Sequence, residues 1–179
     1  TPAIHDELDD WRMLLDSLAA RPTHIREILP DFPTWTGAHD ASGRGMGGVF
    51  ARPDGTPYLW RHAWSPEEAG RLVSSANPHG DLTINAFVLA GNVAQLWLAL
   101  PRMVPLSAML NGSDNSTSIW WIRKGSTATS RSAGSLLCLR AWLLRQHRIA
   151  APMTFLAGKD NHLADAASRR WDLTDSQLC

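Results

Sequence analysis

The chain has 179 residues, enough for one domain with its own core and a short appendage. A hydrophobic content of 44% with mixed charge excludes a disordered chain, and a formal net charge of zero excludes binding of a polyanion through overall positive charge. The charge is uneven: residues 1–100 carry 7 Lys/Arg against 12 Asp/Glu and residues 101–179 carry 10 against 5, so the C-terminal half is where a basic binding face is expected, if the excess is more than solvated surface charge.

Leu8, Trp11, Leu14, Leu15 and Leu18 recur at helical spacing and predict a helix over 6–20, ended by Arg21-Pro22-Thr23-His24. A short segment, Ile25 to Leu29, precedes Pro30 and Pro33, so residues 1–33 read as a helical arm and 34–179 as the main domain. Residues 34–64 predict an antiparallel meander: Thr34 to Asp40, Gly45 to Arg52, and Tyr58 to Trp64, with Asp54-Gly55 as a hairpin turn. Ser65-Pro66-Glu67-Glu68 carries the cap and proline of a short helix. Asn77 to Asp81 is a loop, and Ile84 to Leu100 an apolar helix ended by Pro101. A strand is expected from Met103 to Leu110, weakened at Pro105. A long helix follows over Ser132 to His147 with Leu136, Leu137, Leu139, Leu143 and Leu144 inward, then a strand from Ala151 to Ala157 and a last helix over 161–170. The order is β-β-β-α-β-α-β-α behind a helical arm, without internal repeats.

Two cysteines, Cys138 and Cys179, make no disulfide framework and point to a reducing compartment, with Cys138 expected buried. The nine tryptophans suggest a large aromatic core, with a minority left for stacking on bases. No signal peptide and no apolar run of 18 residues is seen, so a membrane is not expected and the location is taken as intracellular, cytoplasmic or nuclear. A start at Thr1 instead of Met is expected of a piece of something longer.

Three aspartates in separate segments carry the chemistry. Asp40 opens Asp40-Ala41-Ser42-Gly43 at a strand end, Asp114 sits in Ser113-Asp114-Asn115-Ser116, and Asp165 lies in Ala164-Asp165-Ala166-Ala167-Ser168-Arg169. Carboxylates at strand ends and helix starts, far apart in sequence, are what a two-magnesium phosphodiester hydrolase gathers into one cluster. Each also has a plainer use, as a turn former or a helix cap. Asp160 falls in a loop.

These motifs, with Trp35 to Gly43 followed by Gly47-Gly48-Val49, and with Leu82-Thr83-Ile84-Asn85 leading into a helix, resemble the ribonuclease H domain of gypsy-type and DIRS-type retrotransposon polyproteins. The resemblance spans roughly residues 34–170. It implies a ribonuclease H-like α/β fold: a mixed five-stranded sheet, three antiparallel then two parallel strands, flanked by helices. It implies two-metal hydrolysis of RNA in RNA–DNA hybrids, with Asp40, Asp114 and Asp165 as catalytic and metal-holding residues for two Mg²⁺ or Mn²⁺ ions. It also implies that the arm tethers the domain to a reverse transcriptase in the same polyprotein. Double-stranded RNA is a second possible partner.

The family's glutamate falls at Val88, which has no lone pair to offer. Asn85 lies one helical turn earlier and is uncharged; Glu67, Glu68 and Asp81 precede it. Weak or absent hydrolysis is therefore expected, and the alternative is a degenerate module kept for nucleic-acid or protein binding. A DDE-type transposase would need a glutamate in place of Asp165. Expected hybrid contacts are Asn85, Arg123, Lys124, Ser126, Thr127 and Thr129, with Trp120 or Trp121 exposed beside them and His162 near the mouth. His39, on the opposite strand face from Asp40, reads as structural.

Overall fold

The computed structural model describes residues 2–128 and 130–178, and the side chains of residues 2–7, 10 and 14 lie outside what it describes. The expectations for Leu14, Thr129 and Cys179 therefore fall outside the described residues. Five strands form one sheet: β1 (Trp35–Ala41), β2 (Gly45–Ala51), β3 (Pro57–Ala63), β4 (Met109–Ser113) and β5 (Met153–Phe155), in the spatial order β3-β2-β1-β4-β5. β1 to β3 form the antiparallel meander, and β4 and β5 add in parallel on the other side of β1.

The helices are α1 (Pro2–Ala20), α2 (Ile25–Ile28), α3 (Pro66–Ala69), α4 (Ile84–Ala99), α5 (Ser116–Lys124), α6 (Arg131–His147), α7 (His162–Arg169) and α8 (Asp175–Leu178). Side-chain caps set several starts. Ser65 and Glu68 form a capping box at α3, and Thr83, Asn115 and Ser130 accept N–H bonds at the starts of α4, α5 and α6. Gly125, at φ 69°, ends α5.

β2 packs on both faces. A Cβ on Gly48 would lie 2.4 Å from Gln95 of α4, and one on Gly47 would lie 2.6 Å from the Ala167 Cβ of α7. Alternation along the strand thus sends α4 and α7 to opposite sides of the sheet, each brought close by a residue without a side chain. The main core lies between the sheet, α4 and α6, around Trp35, Phe50, Leu96, Met109, Leu143 and Ile149. Each such side chain contributes about 1.5–3 kcal/mol by burial. A polar thread crosses this core: Trp60 Nε1–H donates to Gln95 Oε1 at 3.0 Å, and Gln95 Nε2–H to Asn111 Oδ1 at 2.7 Å.

Several expectations need correction. The strand placed at 103–110 starts only at Met109, with Ala108 joined to Ala150 by a single bridge, because the proline at 105 and the positive φ of Leu106 (68°) keep the residues before it out of the sheet. The strand placed at 151–157 is shorter, Met153–Phe155. Helix α5 and helix α8 are additional to the expected order. Cys138 and Leu139 (41% exposed) face out of α6, because its inward stripe runs through Ala133, Leu137 and Leu143. The aromatic core is smaller than nine tryptophans suggest: Trp35 and Trp121 are buried, whereas Trp11, Trp97, Trp120 and Trp142 are more than half exposed.

The arm rests on α6. The Arg145 guanidinium donates to Ser17 and to the Arg21 carbonyl, Arg21 donates back to the Arg145 and Gln146 carbonyls, and Arg148 pairs with Glu27 at 3.0 Å. Its apolar side chains Leu8, Trp11, Met13, Leu15, Ile25, Ile28, Leu29 and Phe32 stay exposed. Among the described residues, one segment, Ile84–Arg102, is long and apolar enough to cross a membrane by length and composition; most of it is buried within the fold.

Candidate functional site

Strand register brings the first two aspartates together. β1 and β4 run parallel with Ala38 opposite Gly112, so Asp40 and Asp114, each two residues on, lie level at the C-terminal ends of neighbouring strands. Asp40 is 4% exposed and Asp114 half-buried. Burial lifts the Asp40 carboxyl above its ordinary range, and the nearby Asp114 charge adds to this against the opposing Ala41 N–H, Ser168 and Arg169.

α7 supplies the third. Its close seat over Gly47 places Ser168 Oγ–H as a donor to Asp40 Oδ2 at 3.1 Å. One turn earlier on the same helix, Asp165 accepts from Arg169 Nε–H. Arg169 Nη2 lies 3.8 Å from Asp40 Oδ2. The Asp165 hydrogen bond raises the Arg169 pKa, and the charges of Asp165, Asp40 and Asp114 add to the rise. Asp165 and Asp40 thus flank one guanidinium, and the charge of Asp114 reaches it.

The fourth position is closed to charge. Val88 is 2% exposed and packs with Ala41 and Phe87, flanked by Met46, Trp64, Leu72 and Leu82. Asn85 Oδ1 already accepts from Asn115 Nδ2–H at 2.8 Å. Glu68 is committed to the Ser65 cap and Asp81 to Arg71. Asp160 is exposed, in a short 3₁₀ turn. Two divalent ions need more oxygen donors than this, and among the described residues no group of three His, Cys, Asp or Glu is set to hold one. The described residues as they stand leave a two-ion centre incomplete, short of one acid.

The expected nucleic-acid contacts separate. Arg123 Nη2–H donates to the Met153 carbonyl at 2.9 Å, which ties it to the body of the domain. The Lys124 ammonium stacks over the exposed Trp120 ring at 4.7 Å from its centroid, while Trp121 is buried. Ser126 is exposed and Thr127 half-buried on the following loop, and His162 is exposed at the start of α7. Asn85 instead lines a polar hollow of about 900 Å³ with Thr83, Thr117, Ser130, Arg131 and Ser132, framed by the N-termini of α4, α5 and α6. The sequence reading missed this hydroxyl-rich hollow and the roles of Ser168 and Arg169. The cap residues Thr83 and Ser130 were the visible signal for the first, and the Ser-Arg pair after Asp165 for the second.

No protein-family model matches the chain, and no curated protein matches it. Solved structures do. Ribonuclease H1 of the halophilic archaeon Halobacterium salinarum NRC-1 is 14% identical with a TM-score of 0.56, covering 74% of this chain and 92% of that one. LC11-RNase H1 in complex with an RNA/DNA hybrid is 12% identical with a TM-score of 0.58, covering 81% and 99%. The N-terminal RNase H domain of a Mycobacterium tuberculosis protein, fused to maltose-binding protein, is 14% identical with a TM-score of 0.54, covering 76% and 91%. At this identity the likeness shows the fold: the chain has a ribonuclease H-like fold, a mixed five-stranded sheet flanked by helices.

Proposed function

We propose that this chain is the ribonuclease H-type domain of a gypsy- or DIRS-type retrotransposon polymerase, which engages RNA–DNA hybrid and hydrolyses its RNA strand weakly. The reading is supported by the register that sets Asp40 and Asp114 at the ends of neighbouring parallel strands, with Asp165 one helical turn before the Ser168 that bonds Asp40. The polar hollow next to Asn85 suits phosphates and ribose hydroxyls, through which a hybrid is gripped with little reading of bases. A reverse transcriptase domain of the same polyprotein is the proposed partner of the arm, supported by its exposed apolar face. An intracellular setting, cytoplasmic or nuclear, goes with this reading.

Attenuation follows from charge. Carboxylates repel a phosphodiester unless cations neutralise the pair, and one well-placed electrostatic group is worth about 3–4 kcal/mol, or 10²–10³ in rate. Here the position of one acid is apolar. The second reading, a degenerate module retained for binding, is favoured by Arg169, which already holds Asp165 and faces Asp40. A cleavage assay on a defined hybrid with Mg²⁺ or Mn²⁺, run beside a binding titration, separates the two. Slow cleavage is the expected result. Binding without cleavage supports the module, and turnover at an ordinary enzyme's rate of about 1–10³ s⁻¹ refutes attenuation.

A further inference from the structure

A second small hollow lies beside the carboxylates, between the β1–β2 turn and the end of α7. Ser42, Gly43, Arg44 and Arg169 line it, and it encloses about 290 Å³. Two guanidinium groups border it and no carboxylate lines it.

The notch is rigidly built. Ser42 N–H donates to the Gly45 carbonyl at 2.8 Å, and Arg44 N–H to Ser42 Oγ at 3.1 Å. Ser42 Oγ–H donates to the Ser168 carbonyl at 2.6 Å, which locks the turn to α7. Trp64 Nε1–H holds the Ser42 carbonyl at 2.8 Å from the other side.

Several of its donors are unspent. The Arg44 side chain is exposed and makes no hydrogen bond or ion pair among the described residues. Asp172, the acid that feels its charge, is already held in a fork by Arg170 at 3.0 and 2.9 Å. The Gly43 N–H is likewise without a partner among the described residues. Arg169 commits its Nε–H to Asp165, and a guanidinium carries four further N–H donors. Two forks and a free amide in a fixed cleft match the tetrahedral oxygens of a phosphate.

We propose that this notch binds a backbone phosphate of the RNA strand, the one neighbouring the linkage that lies over Asp40. The inference rests on the reading that the chain engages RNA–DNA hybrid. Arg169 then has a double use: it screens Asp165 and Asp40 from the strand and grips the strand itself. Arg44 is a positioning residue, which sets where along the strand the carboxylates fall.

The test is hybrid affinity of the full 179-residue chain across a salt series, in EDTA so that no cleavage intervenes. Each phosphate contact contributes about 0.9 to the slope of log affinity against log salt. Arg44→Gln is therefore expected to flatten the slope by about 1 and weaken binding about tenfold, with the double variant R44Q/R169Q flattening it by about 2. Arg44→Lys, which keeps the charge, restores the slope. Arg52→Gln, at the far end of β2, leaves it unchanged. Arg44 stands on an exposed turn without side-chain bonds, so its variants keep the test decisive even if R169Q loosens α7. An unchanged slope in R44Q, or an equal loss in R52Q, overturns the notch while hybrid binding by the native chain leaves the functional reading standing. A native chain that does not bind hybrid overturns both.

Discussion

On the proposed reading, Val88 and Arg169 together set how far this site can work. Val88 fills an apolar cluster with Ala41, the residue next to Asp40, so one side chain both supports the core and withholds a charge from the site. Val88→Glu is expected to move these two properties in opposite directions. The buried carboxylate lowers the melting temperature, because it is desolvated among apolar neighbours. It also raises hybrid cleavage in Mg²⁺ or Mn²⁺, by up to about 10²-fold if the other three acids are in place. A V88E protein that stays folded, by circular dichroism, and cleaves no faster than the native chain rules out the missing acid as the cause of the proposed attenuation.

Among the elements, α7 and α4 use glycine differently. A methyl on Gly47 meets Ala167 at 2.6 Å on its Cβ and 2.8 Å on its carbonyl carbon, so α7 must lift off the sheet and carry Asp165 and Ser168 with it. Gly47→Ala should cost about 1–3 kcal/mol in urea unfolding, as overpacking does. A methyl on Gly91 of α4 has its nearest neighbour, the Asp40 carbonyl, at 3.5 Å, an ordinary contact. Gly91→Ala should therefore stabilise by about 0.5–1 kcal/mol through helix propensity. Equal effects of the two substitutions would contradict the packing described. For the arm, burial raises the Glu27 carboxyl, but the His24 N–H and the Arg148 hydrogen bond and charge outweigh it and leave the pKa below its ordinary value. The pair's contribution is thus present above the ordinary carboxylate range and is lost as pH falls through the depressed pKa. Protection factors for hydrogen exchange over residues 17–29, which remove the intrinsic pH dependence of exchange, should fall with that acid step in the native chain, and at neutral pH in Glu27→Gln.

At the scale of the whole molecule, His39 links stability to pH. It is fully buried beneath α4, and neither ring nitrogen has a hydrogen-bond partner among the described residues. Burial first, and the Arg140 charge second, hold its pKa at about 3, against 6.5 for the exposed side chain. The unfolded chain therefore takes up this proton first. Stability is full above about pH 6.5 and drains away as pH falls towards about 3. Melting temperatures of the native chain and of His39→Leu should diverge over that window, with the variant's acid slope the shallower. Parallel curves would mean that His39 does not carry the acid limb.

Much of this was legible from residues alone, because burial and turn chemistry are local. Alternation and Asp54-Gly55 marked the meander, the Ser65 cap and Pro66 marked α3, an apolar run ended by Pro101 marked α4, and the three aspartates stood out in separate segments. The absence of an acid at Val88 was equally plain. What periodicity does not carry is who meets whom. The level placement of Asp40 and Asp114 comes from parallel register, the nearness of Asp165 from the seat of α7 over Gly47, and the guanidinium among them from the last turn of that helix. Cys138 and Leu139 misled for the same reason: an apolar residue on a helix reports a possible inner face, and only the neighbours packed against it decide which face is inside.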